Sequence, residues 1–471
     1  MLRSTSISLC TFAALFTAAT ANAQSTMTPL PTFGTGGWLA PGTSAYLTTG
    51  HTERGLAFNP ITSHLLLVSR AGGSFVRVLD AATGLDLGGL DTTGMSGGTF
   101  ALDMCDVDET GAIYVGNLST SLTSNFKVYK WNDETPAVAP TTVFDALTNV
   151  VRTGDAFAVH GGVSGPARFA AAGTAAATAG TNSSFTVGTL DATNTFTSYT
   201  SIPGTGAASN DYRLSLTWVD QDTVIGNQGG LARYTDFTAS AATVAASIPF
   251  TTVSQRAMDY AVVGGVPVLA VIDSVSSIVS IYDVTYPSQP QLLVQGNNTT
   301  GTLSANTNAT GSVQWGVIGG NTATLYAMST NHGIQAFLVT IQPAASAVQY
   351  GAGCGTPALT LAATLPPVLG NPFDLLTDQI PTTATVGVYA LGLVSIPGGV
   401  PIPGTSGCNQ YVAPLATVFF VTGGLATNQL PQTYPANPAY AGLQIFAQSL
   451  VIDPPSTILA TNGLRLYLEL F

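Results

Sequence analysis

The sequence predicts an all-β protein, a six- or seven-bladed β-propeller followed by a β-sandwich-like C-terminal domain. Three observations lead there. Hydrophobic residues make up 45% of the 471 residues while charged residues make up only 8%, far below the roughly 25% of an ordinary soluble domain. Such a chain can bury a large core but must cover it with Thr, Ser, Asn and Gln, a mixture that suits pleated sheets. A loose unit of short apolar strands recurs from about residue 50 to 342 at intervals of roughly 43 to 58 residues, the spacing of four-stranded propeller blades. After a composition shift near Gln342, Pro and Gly punctuate short strands closely, as in a sandwich.

The first unit runs Glu53–Pro60, His64–Ser69 and Phe75–Asp80, and the second Phe100–Gly111, Ala112–Asn117 and Phe126–Trp131. The third is Ala156–Val159, Ala167–Ala172 and Ser184–Val187; the fourth is Tyr212–Trp218, Thr223–Asn227 and Leu231–Tyr234. Ala257–Val263, Pro267–Ile272 and Ile278–Val284 form the fifth, and Ser312–Ile318, Ala323–Ser329 and Ile334–Val339 the sixth. No single unit can bury both of its faces, so the units must close into a ring. The first strand of each is expected to be innermost. Residues 27–49, with Phe33, Trp38 and Tyr46, are placed to supply a strand that closes the last blade or to hold part of a seventh.

The elements Gly55–Pro60, Asp108–Val115 and Ile281–Val284 resemble those of secreted bacterial propellers with WD40-, NHL- or YVTN-type repeats. The Trp-Asp ending of WD40 blades is absent. The resemblance implies the architecture alone, since propellers host both enzymes and binding modules.

Residues 343–349 read as a linker, and 350–471 as a separate β unit. Its expected strands are Thr360–Leu365, Val386–Leu393, Ala416–Val421, Gly442–Ile452 and Gly463–Leu468. The stretches Tyr350–Cys354, Gly407–Cys408, Ala441–Gln448 and Thr461–Arg465 resemble a C-terminal domain of exported planctomycete proteins. That resemblance implies an accessory, surface-targeting or assembly role.

Residues 1–23 read as a signal peptide: Arg3, an apolar run over Ile7–Ala19, then Ala21 and Ala23 at a small-x-small cleavage site. The expected location is therefore outside the cytoplasm, whether periplasmic, cell-surface or extracellular. Export permits a disulfide, and Cys354 with Cys408 share one region and are expected to pair. Cys105, in an alternating strand pattern, reads as a buried free thiol. The formal net charge is −12, which excludes the basic footprint of a nucleic-acid binder and disfavours anionic membranes. The mature chain offers no run of apolar residues long enough for an integral membrane segment.

No motif fixes a chemistry. Gly94–Gly98 matches a nucleophile-elbow string around Ser96 but lacks the strand-to-helix context that the elbow needs. Asp106 and Asp108, at a Gly turn, are candidate Ca²⁺ ligands; the alternative is a hairpin turn whose carboxylates accept backbone N–H groups. No cofactor is otherwise required. His51, Glu53, Arg54, Asp103, Arg213, Arg256, Asp259 and His332 recur near first-strand positions. They are expected to form an axial polar network or a ligand funnel, because a ring brings distant strands to one axis. The expected function is an exported binding or scaffolding protein of the envelope or extracellular space. Carbohydrate or an envelope protein is the candidate partner, and the propeller is the platform. The alternatives are a metal-dependent hydrolase or lyase working in the channel, and a purely structural envelope component.

Overall fold

The computed structural model describes residues 25–148, 150–174, 184–208, 210–239, 241–285, 287–288, 290–342, 345–405, 407–454 and 457–469. The expected leader lies outside them. The architecture is all-β, and the chain divides into two compact units, Ser25–Ala344 and Ala345–Phe471.

Among the described residues the first unit holds three four-stranded antiparallel sheets, an eight-stranded sheet in which two such meanders join through a short parallel pairing of Gly204 and Thr205 with Ala242 and Thr243, and a five-stranded sheet. They amount to six meanders, five of them wholly in chain order. The first runs Glu53–Asn59, His64–Ser69, Phe75–Asp80, Asp86–Gly89, and the second Phe100–Val107, Ile113–Leu118, Phe126–Trp131, Thr141–Ala146. The third runs Thr153–His160, Arg168–Gly173, Ser184–Leu190, Phe196–Thr205, and the fourth Ser215–Asp220, Thr223–Asn227, Leu231–Phe237, Ala242–Pro249. The fifth runs Gln255–Val263, Val266–Asp273, Val279–Asp283, Gln291–Gly296. Gly311–Gly319, Thr322–Ser329 and Ile334–Thr340 make three strands of the sixth.

The fourth strand of that last sheet comes from the other end of the unit. Thr26–Pro29 pairs antiparallel with Ile334–Thr340, Thr26 opposite Thr340 and Met27 opposite Val339. Trp38–Leu39 adds a short pairing to the same strand. The expected closing segment, 27–49, thus contributes two short pairings to one strand of that sheet.

Alternation along each strand explains the packing. One face of every sheet meets the sheet before it and the other meets the sheet after it, so both faces are apolar. Leu66, Val68 and Val78 pack with Cys105, Val115 and Trp131 between the first and second sheets. Phe126, Phe144, Phe157 and Phe169 fill the next interval. The layers continue through Phe185, Tyr212 and Trp218, then Ile225, Met258 and Leu269, then Ile272, Val313, Trp315 and Leu325. A last layer, with Phe33, Leu56, Leu65, Tyr326 and Met328, joins the sixth sheet back to the first. The first strands follow the same cyclic order, each beside the first strand of the next sheet.

Side chains tie these first strands together. The Ser312 hydroxyl donates to the Leu56 carbonyl at 2.8 Å, and that of Ser215 to the Met258 carbonyl at 3.3 Å. The Val159 N–H donates to the Asp106 carboxylate at 2.6 Å. Cys105 is a free, buried thiol in the first layer, and burial pushes its pKa up.

The second unit holds a sheet of Ser346–Tyr350, Gly463–Tyr467, Gln444–Asp453, Val386–Gly392 and Ala416–Val421 in that spatial order, with Thr457–Ala460 also paired to Gln444–Asp453. A three-stranded sheet of Thr360–Ala363, Pro372–Asp378 and Asn428–Thr433 shares its core. Leu361, Phe373 and Leu375 meet Tyr389, Ala447, Leu464 and Leu466 there. Val394–Pro401 and Asn409–Ala413 form a separate hairpin. Cys354 and Cys408 are disulfide-bonded, 54 residues apart, and pack with Ala460. One expectation needs correcting: the stretch read as a linker, 343–349, carries a strand from Ser346 onward. Its Val348 is buried and its backbone pairs with Gly463–Tyr467, a long-range ladder that local composition does not announce.

Candidate ligand-binding site

Residues at the starts of all six first strands meet at one mouth, and arginines gather there. Arg54 and Arg256 lie at the second position of their first strands, Arg152 one residue before its strand and Arg213 two residues before. Together with Asp155, Gln228 and the loop 307–310 they line a cavity of about 440 Å³, within the range of small-molecule sites. Phe100 and Leu214 add apolar wall.

Two buried carboxylates hold this cluster. Asp103 is 3% exposed and receives Arg70 Nη1 at 2.5 Å, with Arg54 Nε at 3.6 Å. Burial pushes its pKa up to about 6 against the pull of both guanidinium groups. Asp155 accepts from Arg152 and from Arg213 Nε, the latter at 2.9 Å. Each carboxylate is thus shared between two arginines. Such pairing is what keeps a buried charge tolerable. Arg70 also stacks over Phe100, its guanidinium carbon 3.6 Å from the ring centroid.

Arg256 differs. Among the described residues it has no ion-pair partner, and its buried Nε has no hydrogen-bond partner. Burial lowers its pKa, while Asp273 pulls the other way and Arg213 adds repulsion. Gln228 Oε1, on the same wall, is likewise buried without a partner.

The loop over the cavity is pinned. Asn306 Nδ2 donates to the Thr310 carbonyl at 2.7 Å, and Asn331 Nδ2 to that of Ala305 at 2.9 Å. His332 Nε2 donates to the Ser304 carbonyl at 2.6 Å, and its Nδ1 is 2.6 Å from the Ser277 hydroxyl. Burial lowers the His332 pKa against the opposing pull of the Ser304 carbonyl. Arg54 Nη1 reaches the loop through Thr310 Oγ1 at 2.5 Å.

The candidates of the sequence reading therefore divide by place. Arg54, Arg213 and Arg256 line the cavity, and Asp103 lies behind it. His51 borders the loop, with Nε2 3.4 Å from Thr307 Oγ1. Glu53 is buried and accepts the Thr48 N–H at 2.6 Å. His332 positions the loop rather than facing the cavity. Asp259 lies farther along its strand and is not part of the lining. Its carboxylate accepts from Thr217 Oγ1, Tyr260 N–H and Trp315 N–H, which links the fourth, fifth and sixth sheets.

Asp106 and Asp108 also lie apart from the mouth. Asp106 accepts from the N–H groups of Val107 and Val159. Asp108 accepts from Thr110, from the Ala112 N–H and from the Tyr114 hydroxyl, which is the arrangement of a capped turn. Among the described residues no three His, Cys, Asp or Glu side chains gather closely enough to hold a metal ion. Ser96 is part of a turn in which its N–H and carbonyl both bond the Tyr129 hydroxyl.

Arg70, Arg152, Asp155 and Gln228 were not singled out in sequence. The signal for Arg152 was available: an arginine within two residues of a first-strand start recurs in four of the six units. Gln228 gives no such signal, because only the fold turns the end of a second strand toward this mouth.

No family model matches the sequence, and no curated protein matches it. Among solved structures the chain is similar to a DUF4623-family protein from Bacteroides eggerthii, at 17% identity and a TM-score of 0.47, over 62% of this chain and 71% of that one. A gluconolactonase from Xanthomonas campestris is similar at 12% identity and a TM-score of 0.38, over 62% and 86% of the two chains. A Hadza microbial sialidase follows at 13% and 0.39, over 61% and 65%. The residues of the mouth, not these likenesses, support the reading that follows.

Proposed function

We propose that this chain is an exported binding protein whose first unit is a closed six-bladed propeller and whose second is a sandwich-like accessory domain. The mouth of the propeller is the ligand site, and carbohydrate is the ligand class. The observation that carries this reading is the cavity of about 440 Å³ at the starts of the first strands, lined by convergent polar groups with unspent hydrogen-bonding capacity. Buried polar groups are nearly always partnered, so the unpartnered Arg256 Nε and Gln228 Oε1 of two cavity-lining residues point to an occupant. The pinned loop pre-organises the site, which limits the ordering cost of binding.

The test is thermal melting of the mature protein with a panel of neutral and acidic monosaccharides and disaccharides, for wild type and Arg213→Ala. A ligand at about a hundred times its Kd stabilises by roughly 2.7 kcal/mol, a rise of several degrees. At least one sugar is expected to raise the melting temperature of wild type and not of the variant. A panel with no shift would leave the envelope-protein and structural readings in its place.

A further inference from the structure

We propose that the mouth takes a hydroxylated organic acid of the uronate type, its carboxylate held by Arg213 and Arg256 and one hydroxyl donating to Gln228 Oε1. This inference rests on the reading of the cavity as a ligand site and goes further by naming the ligand's charge and donor pattern.

The argument begins with scarcity. The chain has 12 basic residues against 24 acidic ones, yet four arginines line one cavity and Arg70 stands behind it. Within this cluster the two ion-paired carboxylates, Asp103 and Asp155, are shared among four guanidinium groups; counting Glu53 and Asp273, which act on Arg70 and Arg256 without pairing to them, five arginines face four carboxylates. Arg256 has no ion-pair partner among the described residues and carries a buried, unbonded Nε. Arg256 is partly buried, and a purely structural network would be expected to pair it, because burying charge without a partner is costly. An anion completes this one. A guanidinium offers planar, forked donors that match a carboxylate.

Charge alone does not describe the site. Gln228 Oε1 is a buried acceptor without a donor, on the same wall as Arg256. A bare anion has no hydrogen to give it, whereas a hydroxyl does. Phe100 and Leu214 present apolar surface to the same space, where the C–H face of a sugar ring can rest. Carboxylate, hydroxyl and apolar face belong together in a polyhydroxy acid.

The test is calorimetric titration of the mature protein with glucuronate and galacturonate, their neutral counterparts glucose and galactose, and inorganic sulfate. Wild type, Arg256→Gln, Arg256→Lys and Gln228→Leu are compared, with melting curves as the check on folding. The expected result is uronate binding that falls at least tenfold in Arg256→Gln, recovers in part in Arg256→Lys and weakens in Gln228→Leu. Neutral sugars should bind at least tenfold more weakly than uronates. Neutral sugars binding as well as uronates, with Arg256→Gln unaffected, would overturn the inference and leave the binding-site reading standing. Sulfate competing as tightly as uronate, with Gln228→Leu unaffected, would reduce the site to an anion site and overturn the hydroxy-acid assignment. No binding of any probe would overturn both readings.

Discussion

Asp106 carries the clearest conflict between charge and surroundings. Protein crowding around its carboxylate raises its pKa from the ordinary 3.8 to about 7, against two backbone N–H bonds that lower it, with Asp259 and Asp108 adding like charge. The raised folded-state value sets the sign. Between the unfolded and folded pKa the native state holds the extra proton, so this group's stabilisation is complete below about pH 4 and is lost as pH rises through about 7. Asp106→Asn removes the titration. The melting temperature of the variant relative to wild type is expected to rise between pH 5 and pH 8, and parallel profiles would show that the carboxylate ionises at its ordinary value. In sequence Asp106 reads as a turn residue or a calcium ligand, because a carboxylate's local neighbours do not reveal that one of its donors is the N–H of Val159, 53 residues away. Arg256 teaches the same point at the mouth: its position near a strand start was legible, its lack of a partner was not.

At the scale of single elements, strands pack through close pairs of glycine and aromatic residue. A Cβ on Gly188 would clash with a ring carbon of Phe169 on the neighbouring strand, and that ring packs edge-on to Phe196 with centroids 4.8 Å apart. Gly188→Ala is expected to cost about 1–3 kcal/mol in chemical denaturation, the usual penalty of overpacking; a neutral result would show that the ring moves aside freely. Gly226 meets the ring of Tyr212 in the same way. In the second unit the 54-residue loop closed by Cys354 and Cys408 gives a loop-entropy contribution of about 4 kcal/mol. The double variant Cys354→Ser, Cys408→Ser should lose roughly that much in the unfolding of this unit, and an unchanged denaturation midpoint would mean the loop is held equally well without the link. The first three strands of each unit were legible, since β-branched and aromatic runs alternate with Gly turns, whereas the fourth strands, such as Asp86–Gly89 and Gln291–Gly296, were not placed. In the second unit Pro372–Asp378, Asn409–Ala413 and Asn428–Thr433 were missed, because Pro, Asn and Gln within them mask the alternation.

At the scale of the whole first unit, the two ends of its chain meet in one sheet. Thr26–Pro29 supplies the outer strand of the sixth sheet, and the Ser25 hydroxyl donates to the Gln342 carbonyl at 2.8 Å while accepting its N–H at 2.8 Å. Deleting residues 25–30 exposes the edge of Ile334–Thr340 and removes Met27 from its layer. The shortened protein is expected to melt at lower temperature and to self-associate through the bare edge; light scattering and a melt identical to wild type would show that this strand is dispensable. The sequence by itself pointed to an all-β chain, to three strands in each of six recurring units with six or seven blades left open, and to the pairing of Cys354 with Cys408, because each depends on local periodicity, repeat spacing or shared region. Only the tertiary structure decided that Arg152, Asp155 and Gln228 join Arg54, Arg213 and Arg256 around one cavity while Asp259 stays apart. A cyclic arrangement places strand starts together that lie as far as 256 residues apart in the chain (Arg54 to Thr310). Which of their side chains remain unpartnered depends on side-chain packing across that ring, and no local pattern encodes it.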